Sequence, residues 1–357
     1  MKQLTQIQNE QRKNQHIAIC GESDVESSDR KTGFEDYNFV PQAFPELDWN
    51  DLDIHCSFLN RQFSAPFLIS GMTGGIEKGK EINQRLAAAA SALNIPMGVG
   101  SQRIALESPE LAEIFQLKNS YPDLFLIGNL GLAQLRNKNF VALAKTAVSM
   151  IDADALAIHA NVLQELIQDE GDRDFSAIIN RIAELTHQLS VPVIIKEVGC
   201  GIDPQTALQL KNAGVAAIDV GGRGGTSWAY IEGARSHSEE TKQVADTFRD
   251  WGIPTAYALH ALSKISNLDC PLIATGGMRN GLMSAKAIAL GASMVGFGLP
   301  LFRAALISED AVLQLLLRYI RELKTSMMVC GSKNLRQLSS KIHFGDFAYK
   351  GIDSNGK

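Results

Sequence analysis

Beyond about residue 64 the chain alternates between short apolar runs and longer stretches with helical periodicity. The apolar runs cover residues 65–70, 96–100, 124–128, 155–159, 192–196, 216–220, 271–275 and 293–297. Their apolar residues are consecutive rather than alternating, which predicts strands buried on both faces and therefore a parallel sheet. Helices are predicted over 77–93, 108–119, 131–150, 174–189, 204–213 and 280–290, with a last one over 308–328. Gly214 follows the fifth of these as a C-cap. Eight strands alternating with helices predict an α/β chain folded as a closed (β/α)8 TIM barrel. An open doubly wound sheet is the alternative, but no G-x-G-x-x-G follows the first strand. The expected organisation is an N-terminal arm over 1–64 packing over the barrel, a barrel over 65–330 that carries the site, and a tail over 331–357. A long glycine- and aromatic-bearing insertion follows strand six and runs to about residue 263.

The polar positions change the picture at the strand ends. In A-L-A-I-H-A-N-V-L-Q-E, from Ala155 to Glu165, an apolar strand stops at His159 and delivers Asn161, Gln164 and Glu165 within a few residues. A barrel gathers its C-terminal strand ends at one mouth. That mouth collects Thr73, Ser101, Gln102, Arg103, Asn129, His159, Asn161, Gln164, Glu165, Lys196, Thr226 and Arg279. Taken singly, each has a bland reading as a cap, turn or ion-pair residue; together they are too many for caps. Gly74-Gly75, Gly224-Gly225 and Gly276-Gly277 follow strands one, six and seven. Glycine lets backbone N–H groups approach a ligand, and the loops after the last strands often hold phosphate at a helix start. These pairs point to a phosphorylated cofactor. Lys196, at a strand end, suits either a Schiff base or a cation holding electron density on a bound heterocycle.

Composition and charge narrow the classes. The chain has 357 residues, 45% hydrophobic and 20% charged, with a formal net charge of -5. That balance argues against a broad nucleic-acid surface, so any anionic ligand must find local cations. Five cysteines are scattered with no C-x-x-C, which predicts reduced thiols in a cytoplasmic protein and no zinc site. The first residues lack the apolar core of a signal peptide, and no run approaches a membrane span. The basic pair Arg12-Lys13 lies in the polar leader, where the default reading is a solvated, mobile charge pair.

Several motifs now combine. They are R-K-x-x-H at Arg12 to His16, T-G-F-x-D-Y at Thr32 to Tyr37, S-G-M-T-G-G at Ser70 to Gly75 and G-V-G-S-Q-R at Gly98 to Arg103. H-x-N-x-x-Q-E at His159 to Glu165, K-E-V-G-x-G at Lys196 to Gly201, D-V-G-G-R-G-G-T-S-W at Asp219 to Trp228, W-G-I-P-T at Trp251 to Thr255 and T-G-G-M-R-N-G at Thr275 to Gly281 complete the set. With these the chain resembles the FMN-dependent type 2 isopentenyl-diphosphate isomerases, from about residue 12 to about 330.

The resemblance implies reversible isomerisation of isopentenyl to dimethylallyl diphosphate, with reduced FMN as acid/base cofactor, NADPH as reductant, Mg2+, and a homo-tetramer or octamer. It implies FMN contacts at Met72, Thr73, Gly74, Ser101, Asn129, Lys196, Thr226, Gly277, Met278, Arg279, Gly298 and Leu299. It places the substrate diphosphate on Arg12, Lys13, His16, Ser101, Gln102, Arg103, His159, Asn161 and Gln164, and Mg2+ on Glu165. Gln164, His159 and Lys196 are the candidate catalytic residues. Three positions depart from the family pattern: Asp169 stands where proline is usual, Gly298-Leu299 replaces a small residue followed by a basic one, and R-K-x-x-H comes after a longer leader. A flavin-dependent 2-hydroxy-acid oxidase and a non-catalytic flavin- or phosphate-binding barrel are the alternatives.

Overall fold

The structure, a computed structural model, describes residues 2–29, 31–72 and 76–345; the side chains of residues 2–10 and 77 lie outside that description. Thr73 and Gly74, and the last twelve residues of the expected tail, are therefore outside it. Eight parallel strands close into a barrel: β1 Phe67–Ile69, β2 Met97–Gly98, β3 Leu126–Gly131, β4 Ala155–Ala160, β5 Val193–Glu197, β6 Ala217–Asp219, β7 Leu272–Ala274 and β8 Met294–Phe297. β8 pairs with β1, with Gly296 opposite Leu68, and so closes the ring. The predicted strand set is thus the observed one, displaced by up to three residues at the ends.

Register is what assembles the mouth. His159 of β4 lies opposite Lys196 of β5, and Lys196 lies opposite Asp219 of β6. Below them the barrel is filled by Leu68, Ile127, Ala157, Ile194, Ile273 and Met294. A short antiparallel hairpin, Cys56–Phe58 with Arg61–Phe63, inserts Phe58 and Phe63 into this cluster. Both rings are almost fully buried, each contributing on the order of 1.5–3 kcal/mol. They shut the end of the barrel opposite the mouth, so the polar strand ends open on one side alone.

One expectation needs correction, and two segments gain detail. Residues 108–119 do not form one α-helix. Arg103–Glu107 is helical, then 3-10 turns follow over Pro109–Ile114 and Leu117–Asn119. Pro109 drives Ser108 out of the α region, to φ -136 and ψ 88, and so breaks the run. The insertion after β6 carries helices Trp228–Arg235, Glu239–Thr247 and Thr255–Ser263. Beyond residue 330, Ile342–Phe344 pairs antiparallel with Tyr37–Phe39, tying this segment to the arm.

The arm also has more structure than its pattern suggests. Lys2–Glu22 is a 21-residue helix. Its apolar periodicity is weak because the side turned to the cavity presents Arg12, Lys13 and His16. Ile17, 4% exposed, packs into the main core between those polar positions. A ligand-facing stripe replaced the solvent-facing one, and the usual amphipathic signature was lost. Among the described residues no helix is long and apolar enough to cross a membrane.

Candidate active site

A cavity of about 240 Å³ opens at the C-terminal end of the barrel. Of the described residues singled out from sequence, all but one line it: Arg12, Lys13, His16, Met72, Ser101, Arg103, Asn129, His159, Asn161, Gln164, Glu165, Lys196, Thr226, Gly277, Met278, Arg279, Gly298 and Leu299. Gln102 is the exception. It is fully buried; its Oε1 accepts from the Asn129 N–H at 2.9 Å and its Nε2 donates to Ala147 O at 2.8 Å. Both ends of the amide are used on the barrel wall, so its side chain is not a diphosphate contact and instead fixes the backbone of Asn129.

Asn129 carries that order to the mouth. Its Nδ2 donates to Val99 O at 2.9 Å, which leaves Oδ1 to receive His159 Nδ1–H at 2.7 Å. His159 Nε2 lies beside Gly131, where a Cβ would come within 2.9 Å of it, and the ring also hydrogen-bonds the Leu130 backbone. Burial, then the nearby charges of Lys13 and Lys196, lower the His159 pKa to about 3. The ring is neutral at physiological pH; only an anionic ligand beside it could return the second proton.

The floor is a charge-balanced group. Lys196 Nζ lies 3.4 Å from Asp219 Oδ2 and donates to Glu197 O at 3.1 Å. Glu197 itself turns away from the cavity: its Oε2 accepts from the N–H groups of Gly199 at 2.6 Å, Cys200 and Gly201. Burial nonetheless lifts its pKa to about 7 against those donors.

The roof is a cationic group. Burial, then the repulsion of Arg12 and Arg103, lowers the Lys13 pKa to about 8. Arg12 is also pushed down by burial and by Arg103, and its buried Nε has no hydrogen-bond partner. The helix bearing them is seated by His16, whose Nε2–H donates to Glu232 Oε1 at 3.0 Å. The same oxygen accepts from Gln164 Nε2 at 2.7 Å, while Arg235 meets Oε2. Burial alone would raise Glu232, but His16, Arg235 and Gln164 outweigh it and hold its pKa at about 2. Gln164 in turn accepts from Asn161 Nδ2 at 3.2 Å, and Glu165 Oε1 accepts from the same group at 2.9 Å.

Sequence reasoning missed Glu232, Asp219 and Trp228 as parts of this site. Glu232 had a usable signal: with Trp228 and Arg235 it falls at i+4 and i+3 on one helix face. Trp228 packs edge-on against His16, with ring centroids 5.4 Å apart.

The loops after β6 and β7 form a close-packed backbone cradle. Gly277 has φ +72, and a Cβ there would lie 2.4 Å from Gly224 O. Arg279 donates to Gly277 O at 2.6 Å and Gly224 O at 2.7 Å, and meets Glu26 of the arm. A nine-residue helix, Leu299–Ile307, begins at the cavity edge just after Gly298. Its free N–H groups add to the positive end of the pocket.

Comparison with known proteins bears on this geometry. A family model described as FMN-dependent dehydrogenase matches residues 131–344. A curated isopentenyl-diphosphate delta-isomerase of Nostoc sp. is 45% identical over 331 residues, 93% of this chain and 94% of that protein. Proteins of the same name are 48% identical in Synechococcus sp., covering 88% of this chain and 90% of the relative, and 43% identical in Pyrococcus furiosus, covering 92% and 84%. Among solved structures, a mandelate oxidase variant with a monooxide FMN adduct superposes with a TM-score of 0.64 at 19% identity, over 92% of this chain and 95% of that one. At that identity the likeness concerns the fold.

Proposed function

The chain belongs to the isopentenyl-diphosphate delta-isomerase family, and on that footing we propose that it interconverts isopentenyl and dimethylallyl diphosphate with FMN at the barrel mouth. The single observation that carries the reading is the facing of two charge groups across one cavity. Arg12, Lys13 and Arg103 crowd together on the roof, and Lys196 stands on the floor. Crowded cations in a chain of net charge -5 match a multiply charged anion.

The residues fit FMN. The glycine cradle at Gly276-Gly277, Gly298 and the start of helix Leu299–Ile307 suit a phosphate tail. Lys196, Asn129 and Thr226 supply polar contacts for a ring, and Met72 and Met278 supply apolar ones. When bound and reduced, FMN supplies an acid/base group with no net redox change.

The reaction moves one proton onto the terminal methylene of the alkene and removes another from the carbon beyond the branch point. Atoms and charge balance, so the protein must position, desolvate and stabilise. Arg12, Lys13 and Arg103 grip the diphosphate; His16, held by Glu232, anchors the helix that brings two of them in. Gln164, bridged between Glu232 and Asn161, is placed to orient the hydrocarbon or assist a proton movement. Neutral His159 borders the diphosphate end and gains a proton there only when the anion is present. Ile17, Ile104 and Phe302 line the cavity with apolar surface that excludes water from the hydrocarbon end.

Glu165 is the Mg2+ ligand in this reading. Its Oε1 and Oε2 each accept one hydrogen bond, from Asn161 and from the Asp172 N–H at 3.0 Å, and keep further lone pairs. Among the described residues no group of three or more His, Cys, Asp and Glu gathers. One carboxylate with phosphate oxygens and water suits Mg2+, which keeps much of its hydration. NADPH serves as external reductant, the protein assembles as a homo-oligomer, and its free cysteines fit a cytoplasmic setting.

The test is anaerobic incubation of the protein with FMN, NADPH, Mg2+ and isopentenyl diphosphate. Dimethylallyl diphosphate is the expected product; its absence rejects the isomerase reading. The fold likeness to mandelate oxidases raises a second reading, a 2-hydroxy-acid oxidase, which peroxide formation from a hydroxy acid in air would favour. The loop from Asp219 to Trp228 offers no histidine for such a reaction.

A further inference from the structure

Asp219 touches neither the diphosphate group nor the phosphate cradle, yet it is a deeply buried charge, 2% exposed, directly beneath the mouth. It ends β6, opposite Lys196 of β5 on one side and Ile273 of β7 on the other. Its Oδ2 lies 3.4 Å from Lys196 Nζ. Its Oδ1 accepts from Thr275 Oγ1 and from the Gly221 N–H at 3.2 Å. Thus two neighbouring segments and its own following turn hold one carboxylate in place. Burial pushes its pKa up and outweighs the opposing pull of Lys196, Thr275 and Gly221. The geometry, an ammonium and two donors around one carboxylate, is that of a counter-ion to Lys196.

A small second cavity of about 20 Å³ lies within the barrel and borders both Lys196 and Asp219. Lys196 also borders the large cavity, whereas Asp219 does not. The carboxylate therefore grips the ammonium from the barrel side and leaves its other side to the mouth. A buried cation without a counter-charge is costly and free to move.

We propose that Asp219 is a positioning residue for Lys196: it fixes the ammonium under the cofactor ring and offsets part of its charge, and so sets the reduction potential of the bound flavin. The proposal rests on the reading of this mouth as a flavin site.

The test uses Asp219→Asn and Asp219→Ser, which remove the same charge with side chains of different shape. Each variant and the parent protein are loaded with FMN, and the midpoint potential is measured by anaerobic reductive titration against a reference dye. Both variants should shift to a more positive potential, by at least about tenfold in the equilibrium between bound oxidised and reduced flavin, because an uncompensated cation favours the more negative reduced ring. Turnover should fall by about tenfold with KM for the diphosphate held within about twofold, the pattern of a lost positioning effect. A potential unchanged or more negative, in either variant that folds and keeps FMN, overturns the proposal. Failure of the parent protein to bind FMN or to isomerise overturns instead the reading beneath it, so the two failures are distinguishable.

Discussion

The floor and the roof of the cavity solve opposite electrostatic problems. On the floor three groups are each held: Lys196 has Asp219, His159 has Asn129, and Asn129 is held by Gln102 and Val99, while the buried Ser70 hydroxyl beside them has no partner. On the roof Arg12, Lys13 and Arg103 repel one another, and Arg12 Nε is buried without a partner. Lys196, His159 and Asn129 are thus oriented before any ligand arrives, as a preorganised reaction surface requires. The roof is left short of negative charge, a deficit that a diphosphate makes good. The lesson is that satisfied networks mark where chemistry is positioned, and frustrated ones mark where binding energy is gained.

The comparison can be broken most severely at the floor. Lys196→Met removes the positive end of the balanced group, and steady-state assays should find kcat lowered by about 10²–10³-fold. A loss under about threefold would mean the floor charge is idle. On the roof, the double change Arg12→Ala with Lys13→Ala should raise KM for the diphosphate by about 100-fold, from two charge-assisted contacts, with kcat within about threefold. An equal fall in kcat would show that roof and floor are not separate.

How much of this was readable in the chain follows the same division. β4 and its H-x-N-x-x-Q-E sequel were legible because an apolar run ends abruptly in polar residues. The barrel itself was legible because eight short runs of consecutive apolar residues, alternating with helices, read as strands buried on both faces. The helix Lys2–Glu22 was not, since its inner face is shared between the cavity and the core, and the periodicity that announces a helix was lost. Asp219 reads in sequence as an acidic residue inside the apolar run 216–220; only the register opposite Lys196 gives it meaning. Gln102 failed for the reverse reason: it sits in a functional motif, but the turn at Ser101-Gln102-Arg103 points its side chain into the wall.

Smaller effects sharpen the contrast. Lys13 loses its charge as pH rises through about 8, well below an ordinary lysine, because burial and Arg12 and Arg103 disfavour the ammonium. KM for the diphosphate should therefore climb by about tenfold per unit once pH passes about 8, and Lys13→Arg, which stays charged, should push that rise to higher pH. A flat profile to pH 9.5 in the parent protein would remove Lys13 from the binding group. Glu232→Gln weakens the seat of His16 and should raise KM by about fivefold. Glu232 is depressed to about 2 in the folded chain. Its stabilisation is thus present above the ordinary glutamate value near 4.5 and lost as pH falls toward about 2. The difference in Tm between parent and Glu232→Gln should accordingly narrow over that window, as followed by circular dichroism; a difference independent of pH would mean that charge is not what seats the helix.

The most direct test of the whole arrangement is a titration of FMN into flavin-free protein, with turnover of isopentenyl diphosphate and consumption of NADPH followed together under anaerobic conditions. Dimethylallyl diphosphate formation should rise in proportion to bound flavin and level off at one FMN per chain, with NADPH used only to reduce that flavin once. Turnover in the absence of flavin, or NADPH consumed with every product molecule, would contradict the account.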